Sequence, residues 1–172
     1  MATHSVAQGT AVIWGESGAS GVTATLSLNA LASTMARMGA SVDLGAKWNM
    51  EYMVQLIVES GTAPTAGLTV ELYMACCHHT DYWPGGVTGS DAAYKDAEEA
   101  EWKKQLGVPV CILVATNDAN TVQKHQPVIW RPQGRYVAPV VVNLLGQAFR
   151  DEGTATDNDS RVILVPRVVS VA

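Results

Sequence analysis

The run Asn49-Met-Glu-Tyr-Met-Val-Gln-Leu-Ile-Val-Glu-Ser60, followed by Leu68-Thr-Val-Glu-Leu-Tyr-Met-Ala-Cys-Cys77, decides the fold of this chain. In each run apolar residues recur at every second position, and β-branched and aromatic side chains are frequent. A period of two is typical of a β-strand with one face in a core. Residues 61–67 between the runs are small and include Pro64, which indicates a loop. The two runs therefore predict a long antiparallel hairpin.

The opposite faces of both runs are more apolar than is usual for faces exposed to water. Met53 and Ile57 lie there on the first run, and Tyr73, Ala75 and Cys77 on the second. We therefore expect the hairpin to be covered on both faces. The cover is either an insertion of the domain itself or a neighbouring subunit.

Shorter alternating segments surround this hairpin, and turn-forming residues separate them. About eight or nine strands in all are typical of a sandwich or a barrel. We expect one domain at residues 21–172, preceded by an N-terminal arm and first strand at residues 1–20. The further predicted strands lie at residues 10–14, 21–28, 40–44, 110–116, 122–130, 135–143 and 161–171.

One segment differs from this pattern. Residues 91–105 are rich in Ala, Glu and Lys, and Ser90 or Asp91 can cap their start. Lys103 and Lys104 come late, where the helix dipole favours positive charge. We predict a short helix inside a long insertion at residues 78–108. A second helical turn is predicted at residues 31–38.

The composition narrows the classes of function. The chain has 172 residues, 48% of them hydrophobic and only 16% charged, and a net charge of -5. Soluble domains usually carry roughly 25% charged residues, so part of the surface is expected to be covered by another copy or another protein. The acidic balance argues against nucleic-acid binding. Pro139 interrupts the longest apolar run, and residues 1–10 do not resemble a secretion signal, so neither a membrane span nor secretion is predicted.

Cys76-Cys77-His78-His79 is the segment that most resembles a metal site. In a strand, alternate residues face opposite sides, so at most two of the four side chains could share an ion. Structural zinc needs four ligands. We therefore predict no metal site, and we interpret the cysteines, with Cys111 in its apolar run, as reduced and unreactive.

Other chemical motifs are also weak. The chain has no phosphate-binding or dinucleotide fingerprint, so neither a cofactor nor a catalytic residue is predicted. Glu98 and Glu99 lie on the presumed helix, where exposure to solvent is the default. Residues 146–160 are rich in oxygen ligands but lack the spacing of a calcium loop.

The aromatic residues of the insertion, Tyr82, Trp83, Tyr94 and Trp102, are candidates for an interaction surface. Aromatic side chains in loops stack on sugars or anchor protein interfaces. They also pin loops onto a domain's own core, and the sequence leaves both interpretations open.

Several stretches carry a family resemblance. They are Ala36-Arg-Met-Gly-Ala-Ser-Val-Asp-Leu-Gly45, Tyr52-Met-Val-Gln-Leu56, Ser60-Gly-Thr-Ala-Pro-Thr-Ala-Gly-Leu-Thr-Val-Glu-Leu-Tyr73, Tyr82-Trp-Pro-Gly-Gly-Val-Thr-Gly-Ser-Asp91, and Arg135-Tyr136 before Pro139-Val-Val-Val-Asn143. Over about residues 21–165 the chain resembles small structural proteins of tailed bacteriophages. The resemblance implies a jelly-roll-like antiparallel β-sandwich that decorates or cements the capsid.

That resemblance implies a non-enzymatic virion protein on the capsid surface, made in the host cytoplasm. Its partners would be the major capsid protein and further copies of itself, as a trimer or a dimer. Tyr82, Trp83, Tyr94 and Trp102 would contact neighbouring subunits, and residues 2–10 would lie across one. The alternative is a carbohydrate-binding module of a phage tail or head fibre, and a tail or head-completion component is a further possibility.

Overall fold

The computed structural model describes residues 4–47, 50–94, 99–151 and 159–171. Almost every regular element in these ranges is a strand. One short helix, α1, spans Glu99–Leu106, and a 3-10 turn spans Gly45–Lys47. The strands are β1 His4–Gln8, β2 Val12–Gly15, β3 Ala24–Thr25, β4 Ala36–Met38, β5 Val42–Asp43, β6 Tyr52–Glu59, β7 Thr69–Cys77, β8 Ala92–Tyr94, β9 Cys111–Val114, β10 Val122–Lys124, β11 Val128–Trp130, β12 Tyr136–Leu144 and β13 Arg161–Val171.

These strands form two sheets that pack face to face. The first sheet has the order β10-β6-β13-β2-β3, with β11 also on β6 and β1 on β13. The second has the order β8-β4-β12-β7-β9, with β5 also on β12. All pairs are antiparallel except β2 with β3. The predicted fold class, an all-β antiparallel sandwich with a short helical insertion, is confirmed.

The predicted hairpin is wrong in its pairing, although both of its strands exist. β6 pairs with β13, β10 and β11 in the first sheet, whereas β7 pairs with β12 and β9 in the second. Residues 61–67 therefore carry the chain from one sheet to the other. Val54 and Leu56 of β6 and Val70 and Leu72 of β7 belong to the same buried core between the sheets. The alternation identified the buried faces correctly but could not identify the partner strands.

The expectation that β7 is covered on both faces is confirmed. Its first face lies in the core between the sheets. Tyr73 and Ala75 on its second face lie in another apolar cluster, to which the insertion contributes Val87. The cover on this face therefore comes from the chain itself.

The local predictions fail mainly where strands are short. The predicted helical turn at residues 31–38 is wrong, because no helix lies there and the last three residues form β4. The first part of the predicted helix at residues 91–105 is β8, so α1 is shorter than expected. The predicted strand at residues 21–28 shrinks to β3, and that at residues 122–130 divides into β10 and β11. The backbone of β1 pairs with Arg167–Val171 of its own chain, so this part of the N-terminal arm does not lie free.

Candidate interaction surface

The insertion at residues 78–108 lies on the outer face of the second sheet. Tyr73 and Ala75 of β7 and Ala138 and Val140 of β12 are buried on this face. The insertion closes the cluster with Val87, which is also buried. Because apolar surface removed from water stabilises the arrangement, the insertion rests on a packed base and not on a solvated sheet.

Tyr94 belongs to this base. Its side chain is fully buried, and its hydroxyl donates a hydrogen bond of 2.5 Å to the carbonyl oxygen of Gly85. The residue ends β8, which joins the edge of the second sheet beside β4. The predicted contact between Tyr94 and a neighbouring subunit is therefore corrected, because no part of its ring reaches the surface.

Trp83 is half-buried above the same cluster. Gly89 has a φ of +74°, and a Cβ there would lie 2.9 Å from the indole Nε1 of Trp83 and 3.2 Å from Ser41 Oγ. Glycine is therefore needed for two reasons, namely the left-handed backbone and the close indole. Trp83 is held in place and presents only part of its ring.

Tyr82 is the exposed aromatic residue of the described insertion, with 78% of its surface accessible. Its ring lies 5.6 Å from that of His79, centroid to centroid, and His79 Nδ1 lies 3.4 Å from a carboxylate oxygen of Asp81. Together they border an open depression of about 610 Å³. Its lining consists of Cys76, Cys77, His78, His79, Asp81, Tyr82, Trp83 and Pro84.

Helix α1 is tied to β7 by a charge pair. Lys103 Nζ lies 2.8 Å from a carboxylate oxygen of Glu71 and 5.5 Å from the centroid of the Tyr73 ring, and the Tyr73 hydroxyl donates to the same carboxylate at 2.8 Å. Burial alone would raise the pKa of Glu71, but the hydrogen bonds from Lys103 and Tyr73 hold it below its usual value. Trp102 lies on this helix, and the placement of its side chain is outside what the structure describes.

The start of β8 is anchored by a fork-shaped ion pair. Arg37 Nε and Nη2 donate to the two carboxylate oxygens of Asp91 at 2.8 and 2.9 Å. Ser27 adds bonds from its backbone N–H at 3.1 Å and its hydroxyl at 2.6 Å. Burial alone would raise the pKa of Asp91, but the bonds from Arg37 and Ser27 hold it below its usual value. From the sequence, Asp91 was expected only as one of two possible helix caps.

The Cys-His segment is split between the strand end and the surface. Cys77 is buried and Cys76 half-buried, whereas His78 and His79 are exposed. Among the described residues, no cluster of three or more His, Cys, Asp or Glu side chains is placed to hold a metal ion. In the loop at residues 146–160, considered for calcium, residues 152–158 lie outside the described residues.

All three cysteines are free thiols in the structure. Burial raises the pKa of Cys76 to about 11 and that of Cys111 to about 11, and it also raises the pKa of Cys77. Since the thiolate is the nucleophile, these environments disfavour reactivity, as predicted for Cys111.

The native thiols should therefore react slowly with a disulfide reagent. At pH 8 a thiol with a pKa of about 11 is ionised to roughly one part in a thousand. We expect the native protein to react at least about tenfold more slowly than the protein in urea, as followed by absorbance. Rapid stoichiometric labelling of one thiol in the folded state would contradict this.

Exposed apolar residues on β9 and β11 were not predicted from the sequence. Ile112 and Val114 of β9 are 46% and 60% exposed, and Ile129 of β11 is 62% exposed. The run Val108 to Val114 is apolar at both parities, which indicated only a buried strand. The sequence feature that indicates an exposed apolar edge is the absence of charged residues throughout β9, which lies at the edge of its sheet.

Comparisons with protein-family models, with curated proteins and with solved structures found no match for this chain. The described part of the chain contains no helix with the length and hydrophobicity needed to span a membrane.

Proposed function

We propose that this chain is a non-enzymatic structural protein of a tailed-bacteriophage virion. It binds the major capsid protein in the assembled shell and stabilises that shell as a decoration or cement protein. It is made in the host cytoplasm and ends on the capsid surface as a homo-oligomer. The resemblance in the sequence supports this role, and the insertion offers a surface for it.

The observation that carries the proposal is the exposure of the Tyr82 side chain. Tyr82 is 78% exposed, while Tyr94 and Val87 of the same insertion are buried. A tyrosine ring has only two side-chain torsions to fix on binding, and tyrosine is enriched among residues that dominate interface energies. A protein that binds the assembled shell, and not the free subunit, stabilises the shell by mass action at many identical sites.

Tyr82→Ala should weaken binding to capsids without unfolding the protein. We expect the wild type to co-sediment with expanded heads at a ratio that matches the lattice sites. Loss of the ring should raise the dissociation constant by about tenfold or more. Ile129→Ala is the matched control, because Ile129 is 62% exposed on β11, outside the insertion.

Failure of the wild type to bind heads would refute the proposal. If Ile129→Ala weakens binding while Tyr82→Ala does not, the insertion is not the contact surface. Trp83 is a poor test residue, because its replacement would also disturb the apolar cluster beneath it.

A second candidate is a carbohydrate-binding module of a tail or head fibre. The observation that favours it is the cluster of the exposed Tyr82 ring, the His79 ring at 5.6 Å and the adjacent Asp81 carboxylate at an open depression. An aromatic face stacks on a sugar ring while neighbouring polar groups bind its hydroxyls. Retention on host polysaccharide, lost in Tyr82→Ala and accompanied by no binding to heads, would select this function.

A further inference from the structure

The edge of the second sheet at β9, here called the open flank, carries three of the exposed large hydrophobic residues that the structure describes. Val108 before β9 is 83% exposed, and Ile112 and Val114 on β9 are 46% and 60% exposed. Cys111 and Leu113 point into the core between the sheets, so Ile112 and Val114 lie together on the outer face of β9. Neighbouring exposed apolar side chains of this kind are typical of an interaction site.

β9 is also an open sheet edge. It pairs with β7 on one side, and no described strand pairs with its other side. The side chain of Gln123 bonds the backbone N–H and C=O of Thr116, two residues after β9 ends. This cover does not extend to β9 itself. Proteins usually protect such edges with charges, prolines or bulges, because the free N–H and C=O groups accept another strand. Pro109 precedes the strand, and Cys111–Val114 contains none of these residues.

The charges around this edge favour a partner like the chain itself. Residues 108–116 contain no charged side chain, although the chain has a net charge of -5. A strongly basic or acidic partner would find no opposite charge here, whereas two copies can meet here without repulsion. Exposed Lys104 precedes this window and exposed Asp118 follows it. An antiparallel arrangement therefore directs the basic end of one copy towards the acidic end of the other.

We propose that the open flank binds a second copy of this chain, with β9 paired antiparallel to the β9 of that copy about a twofold axis. Antiparallel edges of identical sequence are self-complementary, since the twofold axis sets each donor against an acceptor. Ile112 is the central residue of the uncharged segment 108–116. A twofold axis at Ile112 therefore pairs this segment with its copy over its full length. Ile112 and Val114 then form cross-strand apolar contacts on a continuous sheet.

Light scattering on the purified full chain tests this association. The wild type should have twice the 18.2 kDa mass of one chain. Ile112→Lys sets like charges opposite each other and should raise the dissociation constant by about a hundredfold or more. Tyr82→Lys, which changes an even more exposed residue outside the flank, should remain a dimer. A monomeric wild type, or a folded Ile112→Lys protein that stays dimeric, would overturn the inference; Val114→Lys replaces Ile112→Lys if that variant does not fold.

A cross-linking experiment tests the register. Under mild oxidation Ile112→Cys should form a covalent dimer on a non-reducing gel, because residues that face each other at the axis lie within disulfide reach. Tyr82→Cys and the wild type should not. Equal cross-linking of both cysteine variants would indicate random collision and would overturn the proposed pairing. Both tests use the free protein in the absence of capsids. If they fail, a monomer can still bind the capsid, and the co-sedimentation experiment tests that binding separately.

Discussion

Gly134→Ala should lower the free energy of unfolding by about 3 kcal/mol or more. Gly134 is buried in the turn before β12, and a Cβ there would lie 2.6 Å from the carbonyl oxygen of Cys77, 2.7 Å from its carbonyl carbon and 2.9 Å from its nitrogen. All three are backbone atoms, so no side-chain rotation can relieve the overlap. Cys77 ends β7 and leads into the insertion that carries Tyr82. A displacement of Cys77 therefore also moves the start of the insertion. Urea unfolding followed by circular dichroism measures the loss.

Gly61→Ala is the matched control for this substitution. The nearest atom to a Cβ at this position is the Cα of Arg150 at 3.5 Å, which is an ordinary contact. We expect its stability to lie close to that of the wild type or slightly above it, since alanine restricts the unfolded chain. Equal stability of the two alanine variants would show that the turn before β12 can move away from Cys77.

Asp91→Ala should lower the free energy of unfolding by about 2 kcal/mol. The change leaves the Arg37 guanidinium and the Ser27 backbone N–H without their carboxylate partner. Breaking a fully buried pair costs about 3–5 kcal/mol. The Arg37 and Asp91 side chains here remain 27% and 15% exposed, so water compensates for part of the loss. The control is Asp43→Ala, which removes an Arg135 fork of similar geometry whose side chains are 41% and 48% exposed and which should therefore matter less.

The Asp91 contribution should also depend on pH. The pKa of Asp91 in the folded protein lies below its usual value, because the bonds from Arg37 and Ser27 outweigh burial. The stabilisation is therefore fully present above the unfolded pKa of about 3.9, and it is lost as the pH falls through the folded pKa. The difference in unfolding free energy between wild type and Asp91→Ala should be constant near neutrality and shrink below about pH 4. A difference that grows in acid would contradict the assigned role.

The candidate surface was only partly predictable from the sequence. Composition and loop position identified Tyr82, Trp83 and Tyr94, and they could not separate the exposed ring of Tyr82 from the buried one of Tyr94. The separation depends on β8, which joins the sheet edge and turns Tyr94 inward. The Arg37–Asp91 pair joins residues 54 positions apart, so no local pattern could reveal it.

The sequence by itself determined that β6 and β7 are strands, and it determined which of their faces are buried. Alternation reports this because side chains in a strand point to opposite sides whatever strand lies beside it. Only the tertiary structure decided that these strands belong to different sheets and that β9 is left at an edge. Backbone donors and acceptors are the same in every strand, so partner choice depends on how the loops close and how the whole core packs.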